Sequence, residues 1–266
     1  DYYTGAFRTH FLGWQSAAMA LGGVVFLSIG GFLADIGWRL PFLIYLVALL
    51  LLPLVLLFLP EPDRTPSREA TGSDRSIEPT QLPIGLVVFT CAIALIVQAA
   101  FYMIPVQMPF YLQALTNAMA SQSGLAIALS TLFSAVSSIF YQRIKARFTF
   151  IRIYEIGFLS MGVGYGLIGL ATGYPIVLLG LAIAGFGLGV LVPNMNLCLA
   201  SITPSALRGR VLGGWTTCFF LGQFLSPLLS QPLADGMGLD TTFQIAGGGL
   251  IGLGLITIAV MRLHWR

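Results

Sequence analysis

The charges of this chain are confined to narrow bands. Between them lie six stretches without Asp, Glu, Lys or Arg: residues 11–34, 40–60, 79–142, 156–207, 211–234 and 241–261. A helix needs about 20 apolar residues to cross the hydrocarbon of a bilayer. Four stretches suit one crossing each. Residues 79–142 and 156–207 are long enough for two, turning at "ALTNAMASQSG" and "ATGYP". The spacing therefore predicts eight transmembrane helices in an all-α membrane bundle. The backbone must satisfy itself inside lipid, so helices are the only spanning structure these lengths allow. Charged residues make up 9% of the chain and hydrophobic ones 57%, whereas a soluble domain carries about 25% charge. Lipid is the expected solvent, and the net charge of +3 is too small to argue for nucleic acid.

Orientation follows from Lys and Arg. With an even number of crossings both ends share a side. The loops on that side hold Arg8, Arg64, Arg68, Arg75, Arg143, Lys145, Arg147, Arg152, Arg208, Arg210, Arg262 and Arg266, against Arg39 alone on the other. Positive loops stay inside, which predicts a multi-pass protein of the inner cell membrane with both termini cytoplasmic. Trp14, Trp38, Trp215 and Trp265 fall near the expected helix ends, where amphipathic rings settle. Cys91, Cys198 and Cys218 lie in apolar runs with no metal-ligand spacing and read as small buried hydrophobes.

The chain also repeats itself at an offset of 200 residues. Arg8 matches Arg208, Leu12-Gly13 matches Leu212-Gly213, Leu21-Gly22 matches Leu221-Gly222, and Leu33-Ala34-Asp35 matches Leu233-Ala234-Asp235. Arg, Gly and Asp recurring in step without a gap mark an internal repeat of long period. A polar segment rich in Pro, Ser, Arg and Glu, residues 61–82, reads as a mobile connector. After it come six helices, 83–266, with Arg208 opening the fifth. If Arg8 opens the fifth helix of a preceding half, residues 1–60 are the last two helices of that half. The chain starts at Asp1, and four further helices of the same protein are expected ahead of it.

Two parallel six-helix halves joined by a charged loop resemble the major facilitator superfamily. "LGGVVFLSIGG" is similar to the glycine-rich "GxxxGPxxGG" of that family's drug–proton antiporters. Gly22, Gly30 and Gly31 match it, and Phe26-Leu27 stand where the antiporters have Gly-Pro. "DIGWRLPF" resembles the segment leading into the family's sixth helix. "YQRIKAR", residues 141–147, resembles a degenerate copy of the cytoplasmic gate motif "GxxxDRxGRR", with Gln142 in place of its Asp. The resemblance implies conformational or gate roles for Gly22, Gly30, Gly31, Arg143, Lys145, Arg147, Arg208 and Arg210. Helix packing and simple topology signalling are the competing readings of these glycines and cations. "GFGLGV", residues 185–190, follows no strand and reads as helix packing rather than a dinucleotide loop. Asp35 and Arg39 are spaced as an interfacial pair, and Glu155 as a partner for Arg152.

Polar residues inside a membrane are costly, so their placement points to the pathway. The second and last helices are nearly free of them and read as lipid-facing. The third carries Gln98, Tyr102 one turn later, and Gln107 between Pro105 and Pro109. The sixth carries Asn194 and Asn196 beside Pro193, the seventh Thr217 and Gln223, and the fourth Ser130, Thr131 and Ser134. The family's topology would place the third and sixth helices on the central pathway. Gln98, Tyr102, Gln107, Asn194, Asn196, Thr217 and Gln223 are the candidate contacts for a small-molecule substrate, with interhelical hydrogen bonding as the alternative role. No Asp, Glu, Lys, Arg or His lies near mid-membrane. The visible pocket thus suits lipophilic or amphipathic molecules.

These features point to a secondary transporter working by alternating access, an exporter of small lipophilic compounds. An importer or uniporter of a small neutral metabolite on the same fold is the alternative. His10 and His264 sit at helix ends, and no Ser–His or metal-ligand cluster is visible, which leaves an intramembrane enzyme as a remote reading. No cofactor is implied. A proton gradient is the candidate driving force, with its carrier expected in helices ahead of Asp1.

Overall fold

The computed structural model describes residues 5–58 and 83–264, and among them the side chains of 21–53, 57, 83–204 and 207–258. The connector 61–82, with Arg64, Arg68 and Arg75, lies outside the described residues, as do Trp265, Arg266 and the side chains of Arg8, His10, Trp14, Arg262 and His264.

The described residues form α1 (Gly5–Ile36), α2 (Tyr45–Phe58), α3 (Ile84–Thr116), α4 (Ala120–Lys145), α5 (Phe150–Gly169), α6 (Tyr174–Ile202), α7 (Ser205–Met237) and α8 (Leu239–His264). A 3-10 turn over Leu40–Ile44 leads into α2. No strand occurs among the described residues. The expected all-α bundle is what forms. By length and composition α3, α4, α6 and α8 suffice to cross a membrane, while the described apolar parts of α1 and α2 are shorter. α5 begins with Arg152 and Glu155 in its first two turns, and α7 carries amides and hydroxyls along its length. Their lower apolarity explains why fewer than eight helices reach that standard.

Breaks between helices have local causes. α3 runs unbroken through Pro105 and Pro109 and stops at Asn117, whose left-handed backbone (φ 52°) turns its own N–H onto the Gln113 carbonyl and that of Ala118 onto the Leu112 carbonyl. Gly238, at φ 88°, separates α7 from α8. Thr149 accepts a hydrogen bond from the Arg152 amide and starts α5. Helices α1 and α7 end at Ile36 and Met237, within one residue of the 200-residue offset of the repeat.

α5 is packed between α6 and α8, α4 lies against α6, α1 lies on α4, and α3 on α7. Small residues make these approaches close. Gly185 and Gly189 of α6 meet the backbone carbonyls of Ser130 and Ser134 on α4. Gly164 and Gly180 join α5 to α6, and Gly162 and Gly247 join α5 to α8. The glycines of "GFGLGV" are thus packing residues. Around them lie Tyr165, Phe158, Phe243, Ile104 and Met108, all fully buried. Phe243 of α8 sits between two aromatic rings, 5.5 Å from Tyr111 and 5.6 Å from Tyr165. Both phenols are satisfied: Tyr111 donates to the Ile168 carbonyl and Tyr165 to that of Ala100.

The exposed leucines of α2 agree with a lipid-facing helix. α8 is lipid-facing on one side only, since Phe243 and Leu250 are buried. Trp215 departs from expectation. α7 starts at Ser205, so this ring lies nearly three turns inside the helix, buried and packed on Phe219 at 5.1 Å. Trp38, by contrast, is exposed as an interfacial ring would be.

Candidate functional site

A cavity of about 500 Å³ opens among α4, α6 and α7 towards the end of the bundle that carries Arg143, Lys145, Arg208 and Arg210. Ser138, Tyr141, Gln142, Pro193, Asn196 and Leu212 are among its walls. The lining contains hydroxyl, amide and apolar groups and no charge. Asn196 faces this space while its amide donates to the Val192 carbonyl one turn back, at 3.2 Å. Pro193 has no N–H, so the helix is locally short of a donor there.

Asn194 is placed differently. It is fully buried, accepts a hydrogen bond from the Tyr141 phenol at 3.1 Å and donates to the Phe150 carbonyl at 3.0 Å. Its carboxamide ties α6 to α4 and to the start of α5. Gln107 is similarly occupied: its amide donates to Ser230 Oγ at 3.1 Å and to Gln231 Oε1 at 3.0 Å. Gln231 in turn donates to Asp235 at 2.9 Å, completing a chain from α3 to the far end of α7.

Gln98 stands apart. It is 2% exposed, and its Oε1 is buried without a hydrogen-bond partner. A Cβ on Gly222 would lie 3.0 Å from the Gln98 Cβ, so the amide sits where α7 comes closest to α3. Tyr102, one turn on, is half-buried beside Phe101. Gln223 is half-buried on α7, next in sequence to that same glycine. Thr217 is exposed and spends its hydroxyl on the Gly213 carbonyl at 3.0 Å. A second cavity, about 400 Å³ and almost wholly apolar, lies among α3, α7 and α8, with Met103, Ser226, Ser230 and Thr242 in its wall. The expected contacts are therefore not one cluster. Gln98, Tyr102 and Gln223 lie along α3 and α7, Asn196 opens on the basic-end cavity, and Asn194 and Gln107 bridge helices.

Three of the basic residues contact groups close to them in the chain. Arg143 lies 5.3 Å from the Phe140 ring, and Lys145 lies 3.8 Å from that of Phe150 while donating to the Phe148 carbonyl. Arg208 donates to the Ala200 carbonyl near the end of α6 at 3.2 Å. Arg147 and Arg210 are exposed.

Of the three antiporter-like glycines only Gly31 lies at a close crossing. A Cβ there would stand 2.8 Å from the Ala120 carbonyl oxygen and 3.2 Å from the Gly124 Cα. Gly30 has room to spare against Ile44, and among the described residues Gly22 faces only Phe26 of its own helix. Asp35 does not pair with Arg39. α1 stops at Ile36, which breaks the helical spacing that pairing needs, and Arg39 stacks over Trp38 at 4.7 Å instead. The Asp35 carboxylate accepts a hydrogen bond from the Ser121 amide at 3.1 Å, at the start of α4. Glu155 Oε1 is buried and makes no hydrogen bond, so no bond to Arg152 forms through that oxygen. Sequence reasoning also missed Tyr141, Ser230 and Gln231, whose roles depend on helix neighbours rather than on any local pattern.

The Major Facilitator Superfamily matches this chain twice, over residues 1–119 and 90–264. The chain belongs to this superfamily. Among its relatives, the multidrug efflux pump Tap of Mycolicibacterium fortuitum is 31% identical over 106 residues, 40% of this chain and 26% of Tap. The multidrug resistance protein MdtG of Escherichia coli is 31% identical over 168 residues, 62% of this chain and 41% of MdtG. The aligned part thus spans well under half the length of either relative. A crystal structure of the peptide transporter POT with sulfate shares the fold, with a TM-score of 0.51 at 18% identity over 66% of this chain and 37% of that one. As a superfamily member built of apolar helices, the chain is a multi-pass membrane protein.

Proposed function

We propose that this superfamily member is a secondary exporter of small lipophilic or amphipathic compounds working by alternating access. In this reading α1 and α2 close one six-helix half and α3 to α8 form the other, with residues 61–82 joining them on the cytoplasmic side. The observation that carries the substrate class is the lining of the cavity at the basic end, uncharged and rich in amide, hydroxyl and apolar groups. Such a surface binds neutral, partly apolar ligands by contact and a few hydrogen bonds. Tap is a multidrug efflux pump and MdtG a multidrug resistance protein, which supports efflux as the direction. The buried, unpaired Oε1 of Gln98 supports it as a substrate or water contact, because a buried acceptor left empty is costly. Asn196, Tyr102 and Gln223 complete the proposed contacts. Gln107 and Asn194 serve by holding α3 on α7 and α6 on α4.

The test uses inside-out membrane vesicles containing the intact transporter and a panel of lipophilic dyes. Uptake that starts with an imposed proton gradient and stops with a protonophore would support proton-driven export. Gradient-independent equilibration of a small neutral metabolite, with no dye uptake, would overturn it in favour of a facilitator.

A further inference from the structure

α4 begins with an unmet need. Its N-cap residue is Met119, whose thioether is only a weak acceptor for the Gln122 amide, while the Gln122 side chain accepts from the Met119 amide; neither reaches Ser121. The first-turn amides of a helix require an acceptor, which the N-cap side chain normally offers to the second or third helical residue. Here the acceptor comes from another helix. Ser121 is the second helical residue, and its N–H donates to Asp35 Oδ2 of α1 at 3.1 Å. Just below this contact the two backbones touch: a Cβ on Gly31 would meet the Ala120 carbonyl oxygen at 2.8 Å, and one on Gly124 would meet the Leu27 carbonyl oxygen at 2.7 Å.

We propose that Asp35 is a latch that caps α4 from α1 and so holds the outer ends of these helices together, setting how often the transporter opens outward. The proposal rests on the reading that α1 and α4 belong to different halves. The geometry makes the cap conditional. Asp35 reaches Ser121 only while Gly31 and Gly124 are in register, so parting the helices strips α4 of its acceptor. A cap supplied within α4 would carry no such penalty. Met119 is therefore as much a part of the device as Asp35: its weak thioether cap leaves the Ser121 amide of α4 dependent on α1. The carboxylate also lies at the positive end of the α4 dipole, which favours the charged form. Gly31 and Gly124 alone would allow a close contact in any packed pair. The cross-helix cap adds a polar bond that exists in one arrangement of the helices and is lost in the other, which is what biasing an equilibrium requires.

The test reads the distance between spin labels at F32C and L125C, both exposed positions flanking the crossing. It is made in the intact transporter in lipid with Cys91, Cys198 and Cys218 replaced by Ser. D35A, which removes the accepting oxygen, should raise the ratio of long to short distances by about two- to fivefold, the factor expected for losing a cap at a solvent-exposed site. M119S lets α4 cap itself and should raise that ratio in the same direction while the helix stays capped. An unchanged ratio in M119S would overturn the proposal even if D35A failed to fold. So would M119S returning D35A to the wild-type ratio, since Asp35 would then be only a helix cap. A wild-type distance that no transported dye shifts would count against alternating access itself, whatever the variants do.

Discussion

Gly31 and Gly124 bring α1 and α4 so close that a Cβ on Gly124 would lie 3.1 Å from the Gly31 Cα. The obstructing atoms are backbone, which cannot swing aside. G124V should cost about 1–3 kcal/mol by overpacking, seen as a lower midpoint of thermal unfolding in detergent, with transport reduced. G22V, at a position that among the described residues faces only Phe26, should leave stability within about 0.5 kcal/mol of wild type.

Asn194 and Asn196 lie two residues apart and should respond oppositely. N194A strands the Tyr141 phenol and the Phe150 carbonyl in a buried site. It should lower stability by about 1–2 kcal/mol and leave the KM for transported dye near wild type. N196A removes a group from the cavity wall. It should raise KM severalfold with unfolding unchanged. Parallel thermal-shift and transport assays separate the two.

Gln98 offers a test of occupancy. Replacing its orphaned carboxamide by the isosteric apolar Q98L removes an unsatisfied acceptor, so the ligand-free protein should gain up to about 1 kcal/mol. The same change should abolish any stabilisation by a ligand that donates to Oε1, measured as the loss of the ligand-induced thermal shift.

The Asp35 carboxyl is held below the usual carboxylate range, chiefly by hydrogen bonding to the Ser121 side chain and also to the Ser121 and Ala120 amides, which together outweigh desolvation. α4 presents no charged group within Ala120–Gly124, and Arg39 on the following turn is engaged with Trp38. A depressed pKa places the stabilisation above the unlatched value of about 3.9 and removes it as pH falls through the latched one. The spin-label distance should therefore hold constant from neutral pH down to mild acid and lengthen only in stronger acid. D35N should flatten that acid limb.

What the sequence could and could not reveal follows from the range of each interaction. The helices, their number and the turns at residues 117–119 and 170–173 were legible because solvent choice acts on long stretches and needs no partner. The site was less so. Gln98 and Asn194 look alike as polar residues in apolar runs, yet one lacks a partner and the other has two, a difference made by Gly222 on one side and Tyr141 on the other. Asp35 and Arg39 satisfied a helical spacing that was void once α1 ended between them. One clue was present and unread: a methionine at the start of α4, where a capping side chain belongs.

The glycine crossings of α5 with α6 and α8, and of α6 with α4, weld four helices into a stiff frame, whereas α3 and α7 are joined chiefly to each other. Helices α3 to α8 are then mechanically two parts. Strain applied to the α3–α7 pair can tilt it as a lever against the frame without reshaping the glycine joints. Slow amide exchange along α5 and α6, against faster exchange in α7, would be the signature of such a division of stiffness.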